Sequence, residues 1–148
     1  MRLSDHFTLE ELTASDTAER LGIDNTPPRE VVDALQDTAA RLEDVRALLN
    51  APMHISSGYR SRKLNTKIGG SSSSAHMSGR AVDFVCRGFG DPLHIVREIK
   101  ASKIAFDQLI QEGNNPGWVH ISFDPQMRRQ VLVAHFEDGL RTTYTLFK

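Results

Sequence analysis

The fold is decided by residues 56–86, which read SSGYRSRKLNTKIGGSSSSAHMSGRAVDFVC. Near the end of this stretch, the run AVDFV at residues 81–85 has the length and apolar composition of a short strand. Side chains alternate along a strand, so Val82 and Phe84 face one side of the sheet while Asp83 faces the other. An ionised carboxylate in an apolar setting is unstable without a partner. We therefore expect another part of the chain to supply a specific partner for Asp83.

The overall composition is typical of a small soluble globular protein. Of the 148 residues, 39% are hydrophobic and 25% are charged, which is enough to build one core and argues against a disordered chain. The net charge of -1 gives no electrostatic reason to bind nucleic acid or an anionic membrane. We therefore expect a protein that binds neither. We also expect it to be a monomer.

The chain contains one cysteine, Cys86, which excludes an intramolecular disulfide and a cysteine-based structural metal site. Cys86 shares strand parity with Phe84 and is interpreted as a small buried hydrophobic residue. The first residues, MRLSDHFTLEELTASD, are polar and contain no apolar segment of the kind found in signal peptides. No stretch approaches the roughly 18 apolar residues that a membrane span needs. We expect synthesis in the cytoplasm without a cleaved export signal.

Three helices are predicted from capping residues and apolar spacing. The first follows Thr8, which opens the capping box TLEE. The strongest spans residues 26–50, where apolar side chains recur at intervals of three and four. Thr26 is its expected N-cap, and Pro27 stands in its first turn. A later helix follows Asp91, which is its expected cap.

Six strands are predicted, most of them in the last third of the chain. They are residues 53–59, 81–86, 106–112, 118–123, 129–136 and 141–147. The segment GNNPG at residues 113–117 is read as a five-residue hairpin loop, and Asp138-Gly139 signals a second hairpin turn. Helices first and strands later indicate an α+β domain, with helices packed on one face of a mainly antiparallel sheet. We assign residues 1–148 to this one domain, with residues 1–25 as an N-terminal helical lead-in.

A second polar residue interrupts a buried strand pattern at His120. In WVHISF, residues 118–123, the odd-numbered positions form the apolar face, so His120 shares the opposite face with Trp118. A third candidate, His76, lies seven residues before Asp83, at the edge of the serine-rich segment. Two imidazoles and one carboxylate form the usual ligand set of a catalytic zinc ion, which leaves a fourth position for water. We therefore predict one Zn2+ held by His76, Asp83 and His120, which lowers the pKa of a bound water towards about 7.

The remaining four histidines are expected on the surface or in ordinary hydrogen bonds. They are His6, His54, His94 and His135. Of these, His135 lies in a predicted strand and is the strongest competitor, as a cleft residue or as a hydrogen-bond partner of a ligand.

Three separated motifs together resemble a known family. They read SGYRS at residues 57–61, GGSSSSAHMSGRAVDF at residues 69–84 and GWVHIS at residues 117–122. Their order and spacing resemble those of the zinc D-Ala-D-Ala peptidases of family M15, specifically the phage-endolysin-like branch, which shares a fold with hedgehog-type domains. The resemblance covers nearly the whole chain.

The resemblance implies roles for individual residues. His76, Asp83 and His120 match the zinc ligands of the family. Arg60 matches an arginine that stabilises the oxyanion and grips the substrate, and a planar guanidinium suits both tasks. Ser74 matches a serine that helps to hold the substrate carboxylate.

The general base is the point at which this sequence departs from the family pattern. Several relatives carry an acid three residues before the last histidine, where this chain has Gly117. If GNNPG is a five-residue hairpin loop, Glu112 pairs with Trp118 and therefore faces the same side as His120. We predict Glu112 as the base and Trp118 as a wall of the substrate cleft. A one-residue bulge in the hairpin would turn Glu112 to the other face.

The residues and the resemblance together imply a zinc metallopeptidase that hydrolyses peptide bonds of bacterial peptidoglycan. D-Ala-D-Ala carboxypeptidase and stem-peptide endopeptidase activities are both found within the resemblance. A chain without an export signal fits a phage or prophage lysis enzyme that reaches the cell wall after release, or a virion component. The alternative is a non-catalytic, zinc-containing module that binds the wall or builds the virion. A hedgehog-type signalling domain should carry secretion and lipidation signals, and none is visible.

Overall fold

The computed structural model describes residues 1–136 and 141–148, which form a six-stranded sheet with helices packed against it. The helices are α1 (Leu9–Thr13), α2 (Asp16–Leu21), α3 (Arg29–Leu49), α4 (Arg62–Lys67) and α5 (Pro92–Ala101). The strands are β1 (His54–Ser57), β2 (Ala81–Val85), β3 (Gln108–Gly113), β4 (Gly117–Ser122), β5 (Gln130–His135) and β6 (Thr143–Leu146), in the order β1-β2-β4-β3-β5-β6. This is the predicted α+β architecture. No described helix combines the length and the apolar character needed to span a bilayer.

The core lies between helices α3 and α5 and one face of the sheet. Leu35, Leu42 and Val45 of α3 are fully buried, as their helical spacing predicted. They belong to one cluster with Phe84 of β2 and Ile121 of β4, which are also fully buried. Burying each such side chain stabilises the fold by about 1.5–3 kcal/mol. Because the core occupies one face of the strands, side chains on the other face, Asp83 and His120 among them, are available to form a site.

The long helix α3 begins later than predicted. Its N-cap is Pro28 and its first residue is Arg29, so the assignment of Thr26 as N-cap and Pro27 as first turn was wrong. A residue that precedes proline is disfavoured in the helical conformation, so Pro27 cannot be helical ahead of Pro28. The backbone N–H of Thr26 instead donates to Asp24 Oδ1 at 2.9 Å.

The lead-in contains two short helices. The hydroxyl of Thr8 accepts from the amide of Glu11 at 3.1 Å and caps α1, as predicted. The second helix, α2, was not predicted, although Ser15 caps it in the same way by accepting from the amide of Ala18. A helix of six residues is too short to show a periodic apolar stripe, so the sequence pattern did not indicate it.

The hairpin of β3 and β4 has the register that the sequence predicted, with a shorter loop. The residue pairs include Ile110–His120, Glu112–Trp118 and Gly113–Gly117. The last of these pairs was predicted to lie in a five-residue loop, but its pairing leaves only Asn114 to Pro116 in the turn. Extending both strands by one residue keeps the parity, so the same side chains share a face.

The last two strands widen the sheet beyond β3. Strand β5 runs parallel to β3, and β6 pairs antiparallel with β5. Two antiparallel strands can be joined by a short turn with a recognisable sequence, whereas two parallel strands are joined by a long connection that has no such signature. The parallel pairing was therefore not predicted. The expected turn at Asp138-Gly139 lies outside the described residues.

A close backbone contact joins the lead-in to the segment after β1. The amide of Tyr59 donates to the carbonyl of Leu12 at 2.7 Å. At the preceding residue, Gly58, a Cβ atom would lie 2.2 Å from that same carbonyl oxygen. Only glycine therefore fits at this position.

We expect Gly58→Ala to destabilise the protein by about 2 kcal/mol or more, because the added methyl group overlaps backbone atoms and not a movable side chain. Thermal unfolding followed by circular dichroism measures the change. Gly90→Ala is the matched control, since its Cβ would meet His94 Cβ at 3.5 Å, an ordinary contact. We expect that control to change the free energy of unfolding by less than about 0.5 kcal/mol. Equal unfolding temperatures for the two variants would contradict the close approach at Gly58.

Candidate metal and active site

The three predicted ligands converge on the face of the sheet that is turned away from the core. Asp83 of β2 and His120 of β4 are direct cross-strand partners. His76 reaches them from a 3-10 turn at Ala75–Ser78, which follows the serine-rich segment. One ligand atom of each residue lies within 4.8 Å of the other two. These residues therefore form a group that could hold one metal ion.

A backbone contact fixes the orientation and the tautomer of His76. Its ring is buried, and its Nδ1 lies 2.8 Å from the carbonyl oxygen of Gly58. A carbonyl oxygen only accepts, so Nδ1 carries the proton and Nε2 presents its lone pair. Within the described part of the chain, that Nε2 is shielded from solvent without a hydrogen-bond partner, 3.3 Å from Asp83 Oδ1. A metal ion would satisfy both atoms, and metal-bound histidines are commonly oriented by such a contact on their other nitrogen.

Asp83 is ionised and His76 is neutral. Asp83 Oδ1 lies 3.0 Å from His120 Nδ1 in addition to its approach to His76. Burial alone would raise the pKa of Asp83, but the imidazole of His76 beside it and the hydrogen bond from His120 Nδ1 outweigh burial and hold that pKa below its ordinary value. For His76, burial has the largest influence and lowers the pKa. These are the protonation states in which a carboxylate and an imidazole bind a metal.

Glu112 lies in the same cleft as the ligands, as the hairpin register predicted. The indole N–H of Trp118 donates to Glu112 Oε2 at 3.1 Å, which fixes one of the two carboxylate oxygens. Burial raises the pKa of Glu112, and the negative charge of Asp83 raises it further. A carboxylate with a raised pKa is a stronger proton acceptor, which a general base requires.

Arg60 reaches the cleft from the segment after β1. Burial lowers the pKa of its guanidinium, while Asp83 and Glu112 raise it, and the group stays protonated because its ordinary pKa is so high. Among the described residues, its buried Nε has no hydrogen-bond partner. Its backbone N–H donates to the carbonyl of His76 at 3.1 Å, so the backbone of Arg60 is joined to that of a candidate ligand.

The cleft has a volume of about 1020 Å³, and besides Arg60 it includes the other two predicted substrate-binding residues, Ser74 and Trp118. The hydroxyl of Ser74 accepts from the amide of His76 at 3.2 Å and so caps the 3-10 turn. The side chain of Trp118, from β4, is 36% exposed. Substrate binding by these two residues stays a prediction.

The other histidines lie outside the metal group. Three of them are hydrogen-bonded locally, as His6 with Glu43, His94 with Asp91 and His135 with Thr145. His54 is exposed on β1. Leu132 of β5 lines the cleft, and side chains alternate along the strand, so His135 points to the opposite face of the sheet. His135 therefore does not compete with the predicted ligands.

A model of the family described as Peptidase M15 matches residues 5–122. The chain belongs to the peptidase M15 family. The matched segment contains Arg60, Glu112 and the three candidate ligands, and membership supports a metallopeptidase, a hydrolase of peptide bonds. Residues 123–148, which include β5 and β6, lie beyond the match. A comparison with curated proteins found no match.

The M15 site depends on one residue that sequence reasoning missed, Asn25. Its side-chain amide group donates to the carbonyl of Tyr59 at 3.1 Å and to that of Thr13 at 2.9 Å. Its Oδ1 accepts from the amide of Ser61 at 2.8 Å. Asn25 therefore holds the backbone on both sides of Arg60. In the sequence, Asn25 is one polar residue of the loop IDNTPP, and nothing in that loop indicates a role in a functional site.

We expect Asn25→Ala to loosen the segment around Arg60 while the fold persists. The variant loses three hydrogen bonds, and the loss of the one that the Ser61 amide donates, worth about 1 kcal/mol, should speed amide hydrogen exchange at Ser61 roughly five-fold. NMR-detected exchange measures this effect. The Tyr59 amide, which bonds to Leu12, is the internal control and should exchange at its original rate. Unchanged exchange at Ser61 would show that Asn25 does not hold this segment.

Proposed function

We propose that this M15 protein is a zinc-dependent peptidase that hydrolyses peptide bonds of bacterial peptidoglycan. The observation that carries the proposal is the grouping of the three candidate ligands with Glu112 and Arg60 in one cleft. Ligands for one metal ion, a carboxylate with a raised pKa and a partly buried cation are the parts that metal-assisted hydrolysis requires.

The donor set suits zinc. Two imidazole nitrogens and one carboxylate oxygen are ligands that catalytic zinc accepts while keeping a position open. The buried Nε2 of His76 already points its lone pair toward Asp83. A zinc ion bound by His76, Asp83 and His120 would supply a Lewis acid that lowers the pKa of water to about 7.

Other residues of the cleft have separate roles in the proposed reaction. The carboxylate of Glu112 accepts a proton from the water that attacks the scissile carbonyl, and then delivers that proton to the leaving amine. The indole of Trp118 holds Oε2 of this carboxylate, which leaves Oε1 for the transfer. The guanidinium of Arg60 donates to the oxygen that becomes negative as the carbonyl is attacked. Ser74 orients the substrate.

Peptidoglycan is proposed as the substrate from family membership together with the side chains that line the cleft. A guanidinium and a hydroxyl, from Arg60 and Ser74, suit the carboxylates that stem peptides carry. A D-Ala-D-Ala carboxypeptidase and a stem-peptide endopeptidase both fit this arrangement. The proposal includes a phage or prophage origin, with action on the cell wall after release from the cytoplasm or as part of a virion.

We expect the protein to bind one equivalent of zinc and to be stabilised by it, by about 2.7 kcal/mol at a free zinc concentration of 100 Kd. Calorimetric titration of chelator-treated protein measures the affinity. His120→Ala should reduce that affinity by orders of magnitude, whereas the control His135→Ala, also in a strand, should bind zinc as the original protein does. Equal zinc affinity in both variants would contradict the ligand assignment.

Glu112→Gln should lower kcat by a factor of about 10²–10⁴, because the amide cannot accept the proton. Zinc affinity should change little, since Glu112 is not a ligand. The control is Glu98→Gln, an exposed glutamate on α5. The assay follows new amino groups released from purified peptidoglycan, with and without chelator, and identifies the products by mass spectrometry.

Full activity in Glu112→Gln would reject the assignment of the base. A different result, zinc binding without any cleavage by the unmodified protein, would support the second candidate, a non-catalytic module that binds the wall or builds the virion.

A further inference from the structure

The face that carries the metal group continues across the rest of the sheet. One cross-strand row of residues runs Asp83–His120–Ile110–Leu132–Leu146. The neighbouring row runs Trp118–Glu112–Ala134–Tyr144. Directly paired residues point to the same side of a sheet. The metal group and the two C-terminal strands therefore share one surface.

The far end of this surface is apolar and exposed. Tyr144 is 50% exposed, Leu146 is 69% exposed, and Phe136, which follows β5, is 54% exposed. With Leu132 of β5 they form what we call the apolar platform. Leu132 and Tyr144 also line the cleft, and the Phe136 ring lies 6.0 Å from the ring of Trp118. The platform is thus continuous with the proposed active site, and exposed apolar patches of this kind mark binding sites.

The far edge of the platform, at Leu146, lies too far from the metal group to hold the bond that is cleaved. Leu146 stands on β6, three strands away from His120 on β4. Neighbouring strands are about 4.8 Å apart, so the separation is roughly 14 Å. An extended peptide advances about 3.3 Å per residue, so this separation equals roughly four residues. A ligand that reaches both places is longer than a dipeptide.

The side chains at this end of the cleft suit a ligand that has both apolar and polar parts. Tyr144 and Leu132 offer apolar surface, and the hydroxyls of Tyr144 and Thr142 offer hydrogen bonds beside it. Of the lining residues at positions 141–148, Arg141 is the charged one. A saccharide ring has the matching chemistry, with an apolar C–H face and a rim of hydroxyl and amide groups. A purely apolar partner would leave the three polar groups unpaired.

We propose that the apolar platform is a saccharide subsite for the N-acetylated glycan strand to which the cleaved peptide is attached. This inference rests on the proposed peptidoglycan function and deepens it. Binding of the glycan at this subsite should make glycan-linked peptides better substrates than free peptides. This preference would then depend on strands β5 and β6, which lie outside the segment that matches the M15 family.

The first test uses Trp118, the only tryptophan in the chain, whose emission reports on the cleft next to the platform. Titration with the tetramer of N-acetylglucosamine should change this emission saturably. Tyr144→Ala should weaken the binding at least ten-fold. Thr143→Ala, the adjacent residue on the opposite face of β6, is the matched control and should bind as the unmodified protein does.

This titration involves no hydrolysis, so it decides the subsite even if the peptidase proposal fails. Saturable binding that depends on Tyr144 supports the subsite. The proposal is overturned if the sugar causes neither a change in Trp118 emission nor shifts of the β5 and β6 amide signals in NMR spectra. It is also overturned if sedimentation shows that a second copy of the chain covers the platform.

The second test compares a muropeptide with the same stem peptide after removal of its sugars. The unmodified protein should cleave the sugar-linked form with at least ten-fold higher kcat/KM, and Tyr144→Ala should reduce this ratio towards one. Thr143→Ala should keep the original ratio. Equal kcat/KM for the two substrates in the unmodified protein would overturn the proposed preference.

Discussion

The carboxylate of Asp83, held between two imidazoles on a largely shielded face of the sheet, is the interaction on which the rest of the site depends. A buried carboxylate that loses its partners costs several kcal/mol, so this group tolerates little displacement of His76 or His120. Its position is set by strand geometry, because Val82 and Phe84 on either side of it are fully buried in the core. The same alternation that builds the core therefore turns the ligand toward its partners.

The pairing register of the strands fixes the positions of the other site residues relative to Asp83. Asp83 fixes β2 against His120 of β4, and the hairpin then places Glu112 of β3 in the same cleft. A slip of one residue in either pairing would move a ligand or the proposed base to the core face. His76 and Arg60 come from outside the sheet. The ring of His76 donates to the backbone carbonyl of Gly58, and the backbone N–H of Arg60 donates to the backbone carbonyl of His76. The lead-in completes the site because Asn25 and Leu12 hold that backbone in place.

The parts that could be predicted from the sequence are those with a local signature. Asp83 and His120 each break an alternating apolar pattern, and the turn residues of GNNPG give the register that places Glu112. The parts that could not be predicted depend on distant contacts. Asn25 acts on backbone 34 to 36 residues away, and the parallel pairing of β5 with β3 leaves no turn signal. The start of α3 was misjudged for a different reason, since two consecutive prolines delay a helix that one proline would begin.

The central claim is that His76, Asp83 and His120 bind one zinc ion. Diffraction from crystals grown with zinc, recorded above and below the zinc absorption edge, tests it most directly. The account predicts a single anomalous peak about 2.0–2.2 Å from His76 Nε2, from a carboxylate oxygen of Asp83 and from a ring nitrogen of His120. A peak elsewhere, or none at saturating zinc, would contradict it.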